Sequence, residues 1–219
     1  MNAEMKRQVE GLGITPDRVS VEPMGADLSE IAPHTVRETD RVDILFVGRL
    51  VEKKGLTHLL DALKDSTIDY SLTVVGDGPL GEELKAQAAG MPVEFVGALS
   101  KEKLRQQYSK ADMIVLPSVR AVSGDQDGLP VVLLEALGSG LPAIASNLSG
   151  IDSVVTDNES GLLVEPGNDD ELRNAIERLA GDTELRRRLS AEGKRRVEER
   201  SVPAVGRRYA SLLKRVAEQ

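Results

Sequence analysis

The chain has 219 residues, 40% of them hydrophobic and 29% charged, with a formal net charge of −8. That is enough for one large domain, and the acidic balance argues against general binding to a polyanion. Aromatics are only 2%, so the core is expected to be aliphatic, and the stacking platforms that single-stranded nucleic acid uses are scarce; nucleic acid is not an expected partner.

Cysteine is absent, which excludes disulfides, zinc–thiolate sites and thiol catalysis and fits a cytoplasmic location. No run approaches the roughly 20 apolar residues of a membrane span. In chain order, the first forty residues read as turn-rich, with one strand candidate at residues 19–23. They predict a connecting segment over 1–40, ahead of a domain over 41–219. "VDILFVG" (42–48) is an apolar run closed by glycine and predicts a strand, and "GLTHLLDALKD" (55–65) carries Leu56, Leu59, Leu60 and Leu63 at helical spacing. The unit recurs: "YSLTVVG" (70–76) precedes "LGEELKAQAAG", and "VEFVG" (93–97) precedes "KEKLRQQYSKA". "DMIVLPS" (112–118), "PAIAS" and "GLLVEP" (161–166) add three more strand candidates. From Asn168 onward the pattern is helical, with breaks near Gly181 and at Pro203. Strand, glycine turn and helix in repetition predict an α/β fold: a Rossmann-like, mostly parallel sheet with helices on both faces.

In such sheets ligands lie beyond the carboxyl ends of the strands. The loop "GRLVEKKG" (48–55) places Gly48 and Arg49 right after a strand and Lys54 just before a helix. A planar fork of donors and a mobile point charge suit a diphosphate. Two solvated surface cations are the equal reading from the residues alone, and the spacing is not that of a P-loop. The loop "GDGP" (76–79) sets Gly76 and Gly78 in a tight turn that lets backbone approach a ligand, although the full dinucleotide fingerprint does not follow.

The stretch "GDQDGLPVVLLEALGSG" (124–140) holds two acids, Asp127 and Glu135. Pro130 suits the first turn of a helix that begins near Leu129 or Pro130 and stops at Gly138 to Gly140. Asp127 then lies in the preceding loop and Glu135 inside the helix, while the free N–H groups around Gly128 and Leu129 offer a seat for phosphate. Glu135, flanked by Leu133, Leu134, Ala136 and Leu137, is expected to be partly buried and to need donors, which a sugar diol supplies. A glutamate on the solvent edge of an amphipathic helix is the plain alternative. Asp125 and Asp127 also have the spacing of a Mg²⁺ or Mn²⁺ pair. Arg49 and Lys54 already suffice to neutralise a diphosphate, and no metal is expected.

Together, "FVGRLVEKKGLTHLLDAL", "LTVVGDGPLGEELK", "VEFVGALSKEKLRQQYSKADMIVLPS" and the run from "DGLPVVLLEALGSG" to "VEPGNDDELRNAI" resemble the C-terminal, donor-binding domain of retaining glycosyltransferases of family 4, one half of the GT-B fold. The resemblance implies a UDP-, GDP- or ADP-sugar donor and metal-independent transfer with retention. By it, Arg49 and Lys54 hold the diphosphate, Glu135 meets the ribose hydroxyls and Asp127 lies near the donor sugar. Asp127 departs from the commoner glutamate and is shorter by one methylene. Gly128, Leu129 and Pro130 present backbone to phosphate or sugar, and Ala98 and Leu99 face the nucleobase. Gly48, Gly76 and Gly78 belong to the same donor site. Family members carry a first domain of similar size for the acceptor, a sugar, lipid or small molecule. The resemblance therefore implies a donor half, whether a cloned domain, a truncated product or one chain of a two-chain enzyme, and an incomplete catalyst alone. Neither His34 nor His58 is assigned a catalytic role.

From Gly181 onward there are 11 Lys or Arg against 6 Asp or Glu. A solvated helical face is the plain reading; the sharper one is peripheral contact with an anionic membrane face or a partner. Two other classes compete with the transferase reading. One is a non-catalytic interaction module, and the other a nicotinamide-dependent oxidoreductase, which lacks its glycine fingerprint.

Overall fold

Six strands carry the fold: β1 (Arg41–Val47), β2 (Asp69–Val75), β3 (Val93–Gly97), β4 (Met113–Leu116), β5 (Ala143–Ser146) and β6 (Leu162–Val164). They form one parallel sheet in the order β3-β2-β1-β4-β5-β6. The structure is a computed structural model, and it describes residues 3–22, 25–28, 31, 33–125 and 128–217. The helices are α1 (Ala3–Gly11), α2 (Leu56–Lys64), α3 (Gly81–Gln87), α4 (Lys101–Lys110), α5 (Val131–Ser139), α6 (Asp169–Gly181), α7 (Thr183–Glu198) and α8 (Val202–Ala217). The α/β, Rossmann-like expectation is met.

Alternation along β1 explains the two layers. Val42, Ile44 and Phe46 face one core with α2, α3 and α6, while Leu45 and Val47 face a second with α4 and α5. Both faces are buried, which is why the strands are unbroken apolar runs. Helix α7 serves both cores, with Leu185 and Leu189 in the first and Val197 in the second. The helix starts are chemically marked. Asn168 caps α6 by accepting from the Glu171 N–H at 3.1 Å, and Asp182 caps α7 by accepting from the Leu185 N–H at 2.8 Å.

Three expectations need correction. Residues 19–22 are not a strand; a single 3-10 turn (Pro16–Arg18) precedes them, and Pro23 lies outside the described residues. The leading segment instead contains α1, and it meets the body of the domain through a bridge between Ala26 and Ser201. Helix α5 begins at Val131, with Pro130 as an extended N-cap rather than a first-turn residue. Its other end is closed by Gly140 at φ 91°, as the glycine signal predicts.

The last part of the leading segment is tied under the amino ends of β1 and β4. Arg37 donates to both oxygens of Asp112 (3.1 and 2.9 Å), to Asp43 (3.0 Å) and to the Lys110 carbonyl (2.8 Å). Asp112 is 1% exposed and also accepts the Asp43 N–H at 2.8 Å. Burial opposes the charge on Asp43, but the Ser71 hydroxyl and Arg37 outweigh it and hold the carboxyl below its ordinary value. Buried Arg186 of α7 donates to the Leu179 carbonyl at 2.7 Å and to the Arg37 carbonyl at 3.1 Å, so it caps the end of α6 and grips the same segment.

Candidate functional site at the switch point

Strands β1 and β4 are neighbours, but the chain leaves them toward opposite faces, β1 to α2 and β4 to α5. Their carboxyl ends flank the crevice where doubly wound sheets bind ligands. The two exit loops are stitched together. The Val119 N–H donates to the Lys53 carbonyl (2.9 Å), Lys53 pairs with Asp125 (2.9 Å), and the Val122 N–H donates to the Glu52 carboxylate (3.0 Å). Gly55 sits at φ 69°, where a Cβ would overlap the Pro117 carbonyl.

On its other side the β1 loop meets the β2 and β3 loops. The Gly48 N–H donates to the Val75 carbonyl (3.0 Å), the Leu50 N–H to the Asp77 carbonyl (2.9 Å), and the Leu80 N–H to the Leu50 carbonyl (3.1 Å). The Gly76 N–H reaches the Gly97 carbonyl at 2.9 Å, and the Asp77 carboxylate accepts the Ala98 N–H at 2.9 Å. A continuous rim of four loops results. Gly76 and Gly78 lack side chains for an internal reason: a Cβ on either would run into the carbonyl of Gly48 or Leu50. Gly48 in turn leaves room for the aliphatic stem of Lys54, whose Cδ would lie 3.3 Å from a Cβ there.

The rim joins Gly48, Gly76, Gly78 and Ala98 through these contacts and carries Arg49 and Lys54 in the first loop, while Leu99 follows Ala98 and Gly128, Leu129 and Pro130 lie on the segment that enters α5. Arg49 is exposed, and its guanidinium has no hydrogen bond or ion pair among the described residues. Lys54 is half-buried at the end of a 3-10 turn (Glu52–Lys54). The Ala98 N–H is already engaged by Asp77. Asp127 lies outside the described residues, and its neighbour Asp125 is held by Lys53, so one half of the Asp-x-Asp pair is committed to an ion pair. Among the described residues no group of three or more His, Asp or Glu side chains could hold a metal ion.

Glu135 enters from α5, just past its first turn, and is half-buried as expected. It has a protein donor that the sequence reading did not identify: the Tyr108 hydroxyl, 3.0 Å from Oε2. Tyr108 is fully buried in the second core. Burial first, and then Glu135, push its phenol well above its ordinary value, so it stays protonated and donates. The signal was present in "KEKLRQQYSKA", where a tyrosine is one of only five aromatics in the chain. Asp77, which ties the β2 and β3 loops, was likewise missed.

On the α2 side a cavity of about 660 Å³ takes Glu52 and Val119 of the two exit loops into its lining, with His58, Glu83 and Arg120. His58 there lies 2.7 Å from Asp169.

Residues 29–196 match the family described as Glycosyl transferases group 1. The colanic acid biosynthesis glycosyltransferase WcaL of Escherichia coli is 30% identical, over 94% of this chain and 53% of that protein. Sucrose-phosphate synthase from Thermosynechococcus elongatus has a TM-score of 0.79 at 26% identity, covering 98% of this chain and 57% of that one. Anabaena HepE, solved with UDP and glucose, has a TM-score of 0.82 at 20% identity, covering 97% of this chain and 61% of that one, a likeness of fold. The chain spans about half the length of the curated relative WcaL.

Proposed function

Because the chain belongs to the group 1 glycosyl transferases, we propose that it is the donor-binding half of an enzyme that transfers a sugar from a nucleoside diphosphate to an acceptor. The observation that carries this reading is the stitching of the Arg49–Lys54 loop to the segment entering α5, with Glu135 held by Tyr108 at the same edge. On this reading Arg49, Lys54 and the N-terminus of α5 turn toward one crevice, an arrangement suited to a diphosphate.

In the proposed reaction Arg49, Lys54 and the first N–H groups of α5 stabilise the charge that develops on the departing diphosphate. Such preorganised charge is often the largest catalytic contribution. Tyr108 occupies Oε2 of Glu135, which leaves Oε1 to accept from a ribose hydroxyl. Asp127 acts near the donor sugar, its shorter side chain altering the choice of sugar. The base lies along Ala98 and Leu99, and Gly128, Leu129 and Pro130 line the phosphate side. Transfer proceeds with retention and without a metal, as in family 4. Residues 1–40 serve as the connector and 41–219 as the donor unit. The acceptor is taken by a further domain, and the location is cytoplasmic, in keeping with a cysteine-free chain. HepE binds UDP, which supports UDP as the first nucleotide to try.

The test is a thermal-shift panel of UDP-, GDP- and ADP-sugars, followed by calorimetry with the selected diphosphate. One nucleotide class stabilises the chain, and Lys54→Ala and Glu135→Ala each weaken binding by about tenfold or more without unfolding it. Wild-type affinity in both variants, or a response to NAD alone, overturns the assignment. Transfer by the isolated chain at a rate typical of whole enzymes overturns the donor-half reading.

A further inference from the structure

The loop that leaves β4 is a small closed unit. The Ala121 N–H donates to the Asp125 carbonyl and the Gly124 N–H to the Ala121 carbonyl, each at 2.8 Å. Those two bonds fold residues 121–125 back on themselves, with Val122 standing out from the turn, 96% exposed. Where such a unit lies is decided by what anchors it from outside.

Its anchors converge on one dipeptide. The Val119 N–H donates to the Lys53 carbonyl at 2.9 Å, the Val122 N–H to the Glu52 carboxylate at 3.0 Å, and the Lys53 ammonium to Asp125 at 2.9 Å. Glu52 and Lys53 thus reach the start, the turn and the end of the facing loop. They directly precede Lys54 in the same 3-10 turn. Lys53 and Asp125 are 28% and 61% exposed, and an ion pair so open to water adds little to stability. These contacts decide where the loop lies far more than whether the chain folds.

We propose that Glu52 and Lys53 are positioning residues that set the sugar side of the donor site. The inference rests on the donor-binding reading. A nucleotide sugar is a linear ligand: base, ribose, diphosphate, sugar. With the base at the β3 loop and the diphosphate at the β1 loop, the strand order β3-β2-β1-β4 brings the sugar next to the β4 loop. Asp125 is the anchored end of that loop, and five residues later the chain enters α5 at its N-cap, Pro130. The turn that carries Lys54 therefore also holds the wall beside the sugar, and recognition of diphosphate and of sugar are tied to one dipeptide. One carboxylate and one ammonium do this without net charge, so the positive field at Lys54 is left intact.

Calorimetry on the chain tests this, with UDP against UDP-glucose, GDP against GDP-mannose and ADP against ADP-glucose. Glu52→Ala with Lys53→Met removes one charge of each sign, and Asp125→Asn removes the partner carboxylate. All three positions are at least partly exposed, and melting temperatures stay within about 4 °C of the native chain. For the nucleotide that binds, affinity for the bare diphosphate stays within about twofold, while the ratio of sugar-conjugate to diphosphate affinity falls about five- to tenfold in both variants. Lys53→Arg, which keeps the ion pair, retains the native ratio. A merely structural role would lower both affinities together and leave the ratio unchanged. That result, or native affinities throughout, overturns the proposal while the donor reading stands. No nucleotide binding by the native chain overturns the donor reading, and this inference with it.

Discussion

Replacing Tyr108 with phenylalanine isolates one hydroxyl. The ring keeps its fully buried place, and only the 3.0 Å bond to Glu135 is removed. A hydrogen bond to a charged group contributes about 1.5–3 kcal/mol. Glu135 is half-buried, so water takes over part of that bond and the expected loss is about 1 kcal/mol. For a chain of this size that lowers Tm by about 2–4 °C. The pH dependence separates positioning from packing. The phenol is raised in the folded state, so its contribution is complete below the unfolded value of about 10 and is lost as pH rises beyond it. The native chain therefore loses stability above about pH 10 more steeply than Tyr108→Phe. Urea denaturation at neutral and alkaline pH reads both effects, and calorimetry with the selected nucleoside diphosphate reads the consequence for Glu135. An affinity loss of up to about tenfold is expected, from a carboxylate no longer held in place. Equal urea midpoints at neutral pH together with equal nucleotide affinity would refute the idea that Tyr108 positions Glu135.

Gly76→Ala forces a Cβ into the Gly48 carbonyl at a φ of 137°; the loss is about 2 kcal/mol or more, read by urea unfolding. Gly81→Ala is its control, since the new Cβ meets only Leu50 at 3.6 Å in the first turn of α3 and stabilises by about 0.4–1 kcal/mol. Arg37→Ala leaves the 1% exposed Asp112 without its cation, which costs about 3 kcal/mol, the low end for a broken buried pair, because Arg37 is itself half-exposed. Asp43 is held below its ordinary value, so its contribution is present above about pH 4 and lost as pH falls. Arg37→Ala should therefore flatten the acid limb of the stability profile, and an unchanged limb in a pH series of melting curves contradicts the network.

The sheet is readable from the sequence because its strands are buried on both faces. Each glycine-closed apolar run, from 42–48 to 93–97, corresponds to a strand, and the order of strands places the β1 and β4 loops together. Arg49, Lys54 and Glu135 stand out as candidates by the same logic, as charged residues set where a strand ends or a core helix runs. What escapes is long-range pairing. The Tyr108–Glu135 bond spans 27 residues and the Arg37–Asp112 bond 75. Neither leaves a local period. Helix α1 escapes for the opposite reason: it is short and polar, and none of its described side chains is buried. The glycines at 76 and 78 are visible as glycines, but their packing partners, the carbonyls of Gly48 and Leu50, come from another loop.

The loop 48–55 is clamped at both ends, Gly48 beneath Gly76 and Gly55 against Pro117, and held between them by Leu50. Its length is therefore a gauge. One residue added or removed would shift Lys54 out of step with Arg49 or break a clamp, so the spacing of the two cations is set by backbone contacts rather than by any ligand. The facing loop is bare at its tip, where Ser123 and Gly124 are exposed and open space surrounds Gly124. A residue inserted beside Gly124 meets open space, whereas one inserted between Gly48 and Gly55 works against a clamp.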